Sequence, residues 1–248
     1  MRVAAVYDVH GNLPALDAVL ADVARAEVDV IVVGGDLAWG PPPSATVERL
    51  MDLGDQARFV VGNADLAHVA AFDGRAPAAD PVTPDAAGWI ASTQRDFLAA
   101  MPPHVVLSIE GLGPTLFCHG TPRSEIERVT TATSDERLRG LLVGVEQPVV
   151  VCGHTHRQFD RVVDGWRVVN PGSVGLPFEG RTGAFWALLG PRVELRRSEY
   201  DLDTALTALR AAGMPDSFEK RLSFSLIEPA DPDEVAEFFE RKALDSAD

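Results

Sequence analysis

The sequence predicts an α/β fold, because short β-branched runs alternate with amphipathic helices along its N-terminal part. Val3–Val6 is an apolar run of strand length, and a polar turn follows it directly. Leu16, Val19 and Val23 then recur at helical spacing, which predicts an amphipathic helix. A strand, a turn and a helix in this order are typical of the beginning of a βαβ unit.

The same pattern continues in the following residues. Val30–Val33 predicts a second buried strand, and Phe59–Val61 predicts a third. Between them, Ser44 is the predicted N-cap of a helix that ends before Gly54. Each of these strands ends in a turn that carries carboxylate or amide side chains. In open α/β sheets, ligands bind outside these carboxyl ends.

The rest of the chain predicts a second set of strands and further helices. The predicted strands are Val105–Ile109, Thr115–Cys118, Val149–Cys152, Phe159–Val163, Trp166–Val169, Ala184–Leu189 and Val193–Leu195. The predicted helices run from Thr83–Asp85 through Leu98, from Ser134 to Leu142, from Asp201 to Gly213, and onward from Asp231. We therefore expect one domain over residues 1–200 and a C-terminal helical extension over residues 201–248 that packs on it.

Composition restricts the classes of function. The chain has 37 acidic and 22 basic residues, a net charge of -15, so binding to long nucleic acid is not expected. Bound metal ions can reverse the sign locally, which leaves a small phosphate ester admissible. Cys118 and Cys152 are too few for a disulfide framework and are expected to be reduced. The N-terminal apolar run is too short for a signal peptide or a membrane span, so we expect a cytoplasmic protein without a membrane partner.

Seven polar side chains stand at the ends of predicted strands. They are Asp8, His10, Asp36, Asn63, His119, His154 and His156. Each alone has an ordinary explanation as a turn residue or a partly buried histidine, yet four of the six histidines lie at such turns. A mixed imidazole, carboxylate and amide set suits Mn, Fe, Zn, Co or Ni rather than calcium. With one shared carboxylate, the set suffices for two metal ions.

The order of these motifs resembles that of a known family. The motifs are Asp8-x-His10, Gly35-Asp36, Gly62-Asn63-x-Asp65, His119-Gly120 and Gly153-His154-x-His156. Together they are similar to the calcineurin-like metallophosphoesterases over about residues 3–175. Two motifs, Asp8-x-His10-Gly11-Asn12 and Asn170-Pro171-Gly172-Ser173, are most similar to the small prokaryotic phosphodiesterase branch, which includes diadenosine tetraphosphatase-like proteins. The resemblance implies a four-layer αββα sandwich with a dimetal centre between its two sheets.

The resemblance also implies a role for each residue. The first metal would be held by Asp8, His10 and His156, the second by Asn63, His119 and His154, and Asp36 would bridge them. A hydroxide between the two divalent ions would be the nucleophile, and Asn63 would also contact the ester. The implied substrate is a phosphodiester or a small nucleotide, hydrolysed by a monomer or a homodimer.

One position departs from the family pattern. Ala64 stands where many members carry a histidine that helps to protonate the leaving group, a role worth roughly 10²–10⁴-fold in rate. We therefore expect esters whose leaving group needs little protonation, such as aryl esters or a pyrophosphate linkage. His68 is expected to be a surface or packing histidine.

Two alternatives stay open at this point. A phosphomonoesterase, including a protein phosphatase of the same fold, would have the same ligands at its strand ends, because the surrounding loops determine the substrate. A binding scaffold that has lost catalysis is the alternative from another class. Ala64 favours the scaffold, and the intact set of seven ligands opposes it.

Overall fold

The computed structural model describes residues 1–39, 43–75, 88–211, 213, 219, 220 and 222–245. The helix start predicted at Thr83–Asp85 lies outside these residues, as do Pro41, Pro42 and most of the loop expected before that helix. No helix among the described residues has both the length and the apolar content that crossing a membrane requires.

The described strands form two five-stranded sheets. In chain order they are β1 Val3–Val6, β2 Val30–Val33, β3 Ala57–Phe59, β4 His104–Ile109, β5 Gly113–Cys118, β6 Val149–Val151, β7 Phe159–Val163, β8 Trp166–Asn170, β9 Ala184–Leu189 and β10 Val193–Ser198. The first sheet has the order β10-β9-β1-β2-β3, and the second has the order β4-β5-β6-β8-β7.

Each sheet contains three neighbouring parallel strands whose carboxyl ends point toward the same region. In the first sheet, β1 pairs in parallel with β2, and β2 pairs in parallel with β3. In the second sheet, β5, β6 and β8 are parallel neighbours. In the first sheet, antiparallel pairing adds β9 and β10 beside β1, and β3 is the edge strand. In the second sheet, antiparallel β4 and β7 lie on either side of the group. The loops after six parallel strands are therefore available to build a site.

Helices cover the outer faces of the sheets, and further helices form the C-terminal region. They are α1 Leu13–Arg25, α2 Ser44–Met51, α3 Asn63–Phe72, α4 Ser92–Ala100, α5 Asp135–Leu141, α6 Leu202–Ala211 and α7 Pro232–Asp245. The Asn12 side chain caps α1 by accepting from the N–H of Ala15 at 3.2 Å. Ser134 caps α5 in the same way, as predicted.

Several predicted boundaries differ from those of the structure. The strand predicted at Phe59–Val61 is β3, which ends at Phe59, because Val60 and Val61 already belong to the connection into α3. Pro43 occupies the N-cap position of α2, and Ser44 is the first helical residue. The described helix that contains Phe97 begins only at Ser92, after a turn at Gly88–Ile90.

Alternation along the strands produces the four layers. Side chains of successive strand residues point to opposite faces. In β1, Ala4 and Val6 face the core under helices α1 to α4, whereas Val3 and Ala5 face the second sheet. In β5, Phe117 faces the first sheet, and its neighbours face the core under α5. The predicted four-layer αββα arrangement is confirmed.

The C-terminal helices pack beside the strand-end loops. Leu206 and Leu209 of α6 share a small apolar cluster with Leu176 from the loop after β8. Two ion pairs hold α7 against the body of the protein. Arg137 lies 3.0 Å from Glu240, and Arg157 lies 2.8 Å from Asp233.

We predict that Phe117→Ala lowers the free energy of unfolding by about 3–5 kcal/mol, because it removes a fully buried ring between the two sheets. Urea denaturation measures the change. Val162→Ala, on the exposed face of β7, is the matched control and is expected to cost less than about 0.5 kcal/mol. Equal losses for the two variants would contradict the assignment of Phe117 to the inter-sheet core.

Candidate metal centre

Seven polar side chains converge where the parallel strands of the two sheets end. They are the seven that the sequence singles out, namely Asp8, His10, Asp36, Asn63, His119, His154 and His156. The first four follow β1, β2 and β3, and the other three follow β5 and β6. Both sheets therefore contribute to one cluster. All except Asn63 and His154 are buried.

The backbone of this cluster is strained. Eight described non-glycine residues have a positive φ, and five of them belong to the cluster, so the strain is concentrated there. The five are Asp8 at 53°, His10 at 49°, Asp36 at 52°, His154 at 65° and His156 at 58°. Such a conformation costs of order 1–3 kcal/mol at each residue and persists only where the surroundings enforce it. This concentration is typical of a functional site.

One group of side chains lies around Asp8. The Nε2 atoms of His10 and His156 are 3.1 Å apart, and His156 Nε2 is 3.4 Å from Asp8 Oδ1. Asp36 Oδ2 lies 3.8 Å from His10 Nε2. One potential ligand atom from each of these four residues lies within 4.8 Å of the others.

A second group lies on the other side of Asp36. His119 Nε2 is 3.4 Å from Asp36 Oδ1 and 3.2 Å from Asn63 Oδ1. The rings of His119 and His154 meet edge to face with centroids 5.1 Å apart. One potential ligand atom each from Asp36, His119 and His154 lies within 4.8 Å of the others. His154 and His156 thus point toward different groups, and Asp36 belongs to both.

The hydrogen bonds of the cluster leave several atoms available to a cation. His119 Nδ1 and His156 Nδ1 lie 2.9 Å and 2.7 Å from the carbonyl oxygens of Gly34 and Leu176, so each Nδ1 is the N–H donor. Each Nε2 therefore has a lone pair for a cation whenever its ring is neutral. Asp8 Oδ1 and His154 Nε2 are buried without any hydrogen-bond partner among the described residues. Buried polar atoms rarely stay unpaired, and this donor set fits divalent transition metals.

The electrostatics of the cluster also favour a cation. Burial lowers the pKa of His10 to about 4 and that of His154 to about 3, with repulsion from neighbouring imidazoles as the next cause. Burial also acts to lower the pKa of His119, but the carboxylates of Asp36 and Asp8 outweigh it and raise this pKa to about 10. A proton on His119 therefore balances part of the carboxylate charge when no other cation does.

Asp65 holds the loop that carries Asp36, a role the sequence does not reveal. Its carboxylate accepts from the backbone N–H groups of Asp36, Leu37, Ala38 and Gly62 at 2.9–3.1 Å. Burial and the charge of Asp36 raise the pKa of Asp65 to about 7. The signal was present in the Gly-Asn-x-Asp motif, but only the fold shows that its last residue binds backbone rather than a ligand.

The Asn-Pro-Gly-Ser loop after β8 supports two other parts of the cluster. Ser173 donates its hydroxyl to the carbonyl of Asp8 at 2.7 Å. Asn170 donates its amide to the carbonyl of Gly153 and to the hydroxyl of Thr155, both at 3.1 Å. Gly153 must be glycine, because a Cβ there would lie 2.7 Å from Asp8 Oδ2. The motif thus positions residues at the ends of β1 and β6.

A pocket of about 220 Å³ opens above the cluster. Its walls include Trp39, Phe178 and Phe239, and its one described arginine is Arg128. Ala64 also lines it, so the position that departs from the family pattern faces the site. His68 does not line it; this buried histidine lies beside Trp89, with ring centroids 6.0 Å apart. It is therefore a packing histidine.

The sequence does not identify the residues of the pocket wall as part of the site. Arg128 lies in an irregular polar segment, and Phe239 lies on the last described helix, far along the chain from His156. Nothing in their local spacing distinguishes them from other surface arginines or helix aromatics. The packing of α7 beside the strand-end loops brings Phe239 to the pocket, whereas Arg128 reaches it through the fold of the segment between β5 and α5, where Thr155 donates to the carbonyl of Val129.

The chain matches one protein-family model and is similar to known proteins over most of its length. The family model of the calcineurin-like phosphoesterase superfamily domain matches residues 1–189. A metallophosphoesterase from Sphaerobacter thermophilus is similar in structure, with 29% identity, a TM-score of 0.71, and coverage of 90% of this chain and 98% of that one. An uncharacterized protein from Methanocaldococcus jannaschii is 26% identical over 246 residues, covering 89% of this chain and 96% of its own length.

A hypothetical protein from Pyrococcus horikoshii OT3 has the same fold. It superposes with a TM-score of 0.75 and 20% identity, covering 89% of this chain and 97% of that one. At this identity the likeness concerns the fold alone. Because its coverage exceeds the 189 residues of the family match, the shared fold includes part of the C-terminal region.

We predict that Asp65→Asn lowers the free energy of unfolding by roughly 2–4 kcal/mol, because the amide NH₂ would face backbone N–H groups that now donate to the carboxylate. Chemical denaturation is followed near pH 8, where Asp65 is ionised. Asp96→Asn, an exposed carboxylate with one surface ion pair, is the control and should change stability little. A loss no larger than that of the control would refute the positioning role of Asp65.

We predict that Mn²⁺ uptake near neutral pH releases about one proton per protein molecule, because a histidine ligand must lose its proton to bind a metal. That proton comes from His119, with a pKa of about 10, whereas His10 and His154 are already neutral. Metal affinity should accordingly rise with pH up to about that value.

Calorimetric titration in buffers of different ionisation enthalpy measures the released protons. His104→Gln, which alters an exposed histidine of β4, is the control and should leave the number unchanged. Metal uptake without proton release would contradict the charge balance assigned to His119.

Proposed function

The chain belongs to the calcineurin-like phosphoesterase superfamily, and from this premise we propose that it hydrolyses a phosphodiester, such as a small nucleotide, with two divalent transition-metal ions. The observation that carries the proposal is the sharing of Asp36 by two groups of buried ligands. Mn, Fe, Zn, Co and Ni all suit a donor set of this kind. Asp8, His10 and His156 hold the first ion, Asn63, His119 and His154 hold the second, and Asp36 bridges them.

The residues of the chain then have separate tasks. The bound ions supply positive charge for the phosphate oxygens and lower the pKa of a water molecule toward neutrality. The backbone N–H of Ala64 donates a hydrogen bond to Asp36 Oδ1 at 2.8 Å. This bond fixes the carboxylate of Asp36, which keeps the two ligand groups at a constant separation. Asn63, partly exposed at the start of α3 and lining the pocket, is placed to contact the ester as well.

The pocket favours a diester over a monoester. A phosphomonoester carries two negative charges near neutral pH, and a diester carries one. Among the described lining residues, Arg128 is the single permanent cation, and aromatic side chains make up much of the remaining wall. A small pocket in which apolar walls accompany convergent polar groups is typical of a site for a small organic ligand. These features support a small diester rather than a phosphoprotein.

Hydrolysis also requires a fate for the leaving group. As water forms the new P–O bond, the bond to the leaving oxygen breaks, and that oxygen must take a proton or bear a negative charge. Ala64 faces the pocket where a histidine would supply the proton. The protein is therefore best suited to leaving groups that are stable as anions, such as aryl oxides or phosphates.

A binding scaffold without catalysis is the second candidate, and Ala64 is the observation that favours it. The two candidates differ in one measurable respect. A scaffold does not turn over any ester when supplied with Mn²⁺, whereas the proposed enzyme does. The intact ligand set, with its strained backbone and unpaired ligand atoms, supports the enzyme.

The proposed activity is tested with nitrophenyl esters. Protein reconstituted with Mn²⁺ is assayed on bis-(p-nitrophenyl) phosphate and on p-nitrophenyl phosphate, together with Asp36→Asn and with His104→Gln as the control. We expect faster turnover of the diester, loss of activity with Asp36→Asn, and no change with His104→Gln. Faster turnover of the monoester would favour a phosphomonoesterase, and no turnover of either ester would favour the scaffold.

We predict that Ala64→His raises kcat on alkyl phosphodiesters by up to about 10²-fold, because it restores a proton donor beside the leaving oxygen. Aryl diesters should gain less than about threefold, since their leaving group is stable without a proton. Ala64→Gln adds similar bulk without a titratable ring and is the control. Equal gains on alkyl and aryl esters would contradict the assignment of Ala64 as the missing acid position.

A further inference from the structure

A second cavity adjoins the pocket above the cluster. Its volume is about 670 Å³, and its lining residues include Phe178, Phe224, Phe238, Phe239, Arg128 and Lys242. Arg128, Phe178 and Phe239 line both spaces, so the cavity and the pocket lie directly beside each other. The cavity is also predominantly apolar, so a phosphate group alone would not occupy it.

Successive ring contacts lead from the ligand cluster to residues that line this cavity. The ring of His156 stacks on Phe178 with centroids 5.2 Å apart and an interplanar angle of 9°. Phe178 in turn contacts Phe239, with centroids 5.8 Å apart. A planar ester group that extends from the phosphate toward the cavity contacts the faces of these rings. Such faces stack with aromatic ligands of almost any identity.

Arg128 stands at the junction of the two spaces and differs from its neighbours. Arg123 and Arg137 pair with Glu127 and Glu240 at 2.7 Å and 3.0 Å. Arg128, in contrast, forms no ion pair with any described residue, and its buried Nε atom has no hydrogen-bond partner there. Its guanidinium carbon lies 6.0 Å from the centroid of Phe239. A half-buried arginine in this state is available to an anionic ligand, since a guanidinium matches phosphate geometry.

The helix that supplies Phe239 is fixed relative to the metal ligands. Arg157, the residue after His156, donates to the carbonyl of Pro232 and to the carboxylate of Asp233, both at 2.8 Å. Glu240 accepts from Thr130 and Thr133 at 3.0 Å and 2.7 Å. The start and the middle of α7 are therefore tied to the loops around the site. A ring carried by α7 can act as a preformed part of the pocket.

We infer that α7 and Arg128 form a specificity subsite for a phosphodiester in which one ester group ends in a nucleobase. This group lies against Phe239 in the apolar cavity while a phosphate oxygen contacts Arg128. The inference rests on the proposed function and deepens it by naming the substrate class. It also gives the C-terminal region a role in substrate binding rather than only in covering the fold.

The test compares two diesters that release the same nitrophenolate. One is thymidine 5′-(p-nitrophenyl) phosphate, and the other is methyl p-nitrophenyl phosphate, which lacks the base. Phe239→Ala and Phe239→Leu should raise KM for the thymidine ester by about 10- to 100-fold, with little change in kcat. For the methyl ester, KM should change less than about threefold. Leu244→Ala, an exposed apolar residue of α7 outside the cavity, is the control.

Arg128 should show a different signature. Arg128→Met is expected to raise KM for both esters by about 10-fold or more, because both carry the phosphate, and Arg128→Lys should restore part of the loss. Arg123→Met, at an exposed and paired arginine of the same segment, should have no effect. Equal effects of the Phe239 variants on both esters, or no effect of Arg128→Met, would overturn the inference.

Binding of thymidine 5′-phosphate, measured by calorimetry, separates this inference from the proposed function. Weaker binding by Phe239→Ala than by Leu244→Ala supports the subsite even if the protein turns over neither diester, in which case the proposed activity fails alone. If the protein is active but binds the nucleotide equally well in both variants, the subsite fails alone.

Discussion

The structure depends on the burial of two carboxylates, Asp8 and Asp36, among four imidazoles. Charges removed from water are costly unless they are paired, and the hydrogen bonds of this cluster leave Asp8 Oδ1 without a partner among the described residues. A proton on His119 offsets only part of the negative charge. Divalent cations would balance the rest. We infer that both sheets are arranged so that they hold, at this point, negative charge that the protein alone does not neutralise.

The local strain follows from the same constraint. Side chains leaving parallel strands diverge unless the backbone turns sharply, and left-handed residues such as Asp8 and His154 provide those turns. Polar side chains that are not candidate metal ligands hold the strained loops in place by hydrogen bonds to the backbone. Asp65 holds the loop of Asp36, and Ser173 holds the carbonyl of Asp8. The site and the stability of its loops are therefore difficult to alter separately.

Much of this arrangement could be predicted from the sequence, for a physical reason. Buried strands such as β1 and β2 produce strong apolar runs, and their carboxyl ends must share an edge when they are parallel, so Asp8 and Asp36 were expected to meet. The end of β3 was misplaced, because Val60 and Val61 remain buried after strand pairing stops. Phe239 reaches the site through the packing of α7, and Arg128 through the path of the irregular segment after β5, and no local pattern encodes either of these.

The most direct test concerns how His154 and His156 divide between two ions. Crystals grown with Mn²⁺ can be measured by anomalous diffraction, which locates each ion independently of the protein atoms. We expect two peaks that share Asp36, one beside Asp8, His10 and His156, and the other beside Asn63, His119 and His154. A single ion bound by both His154 and His156, or no ion at Asp36, would contradict this expectation.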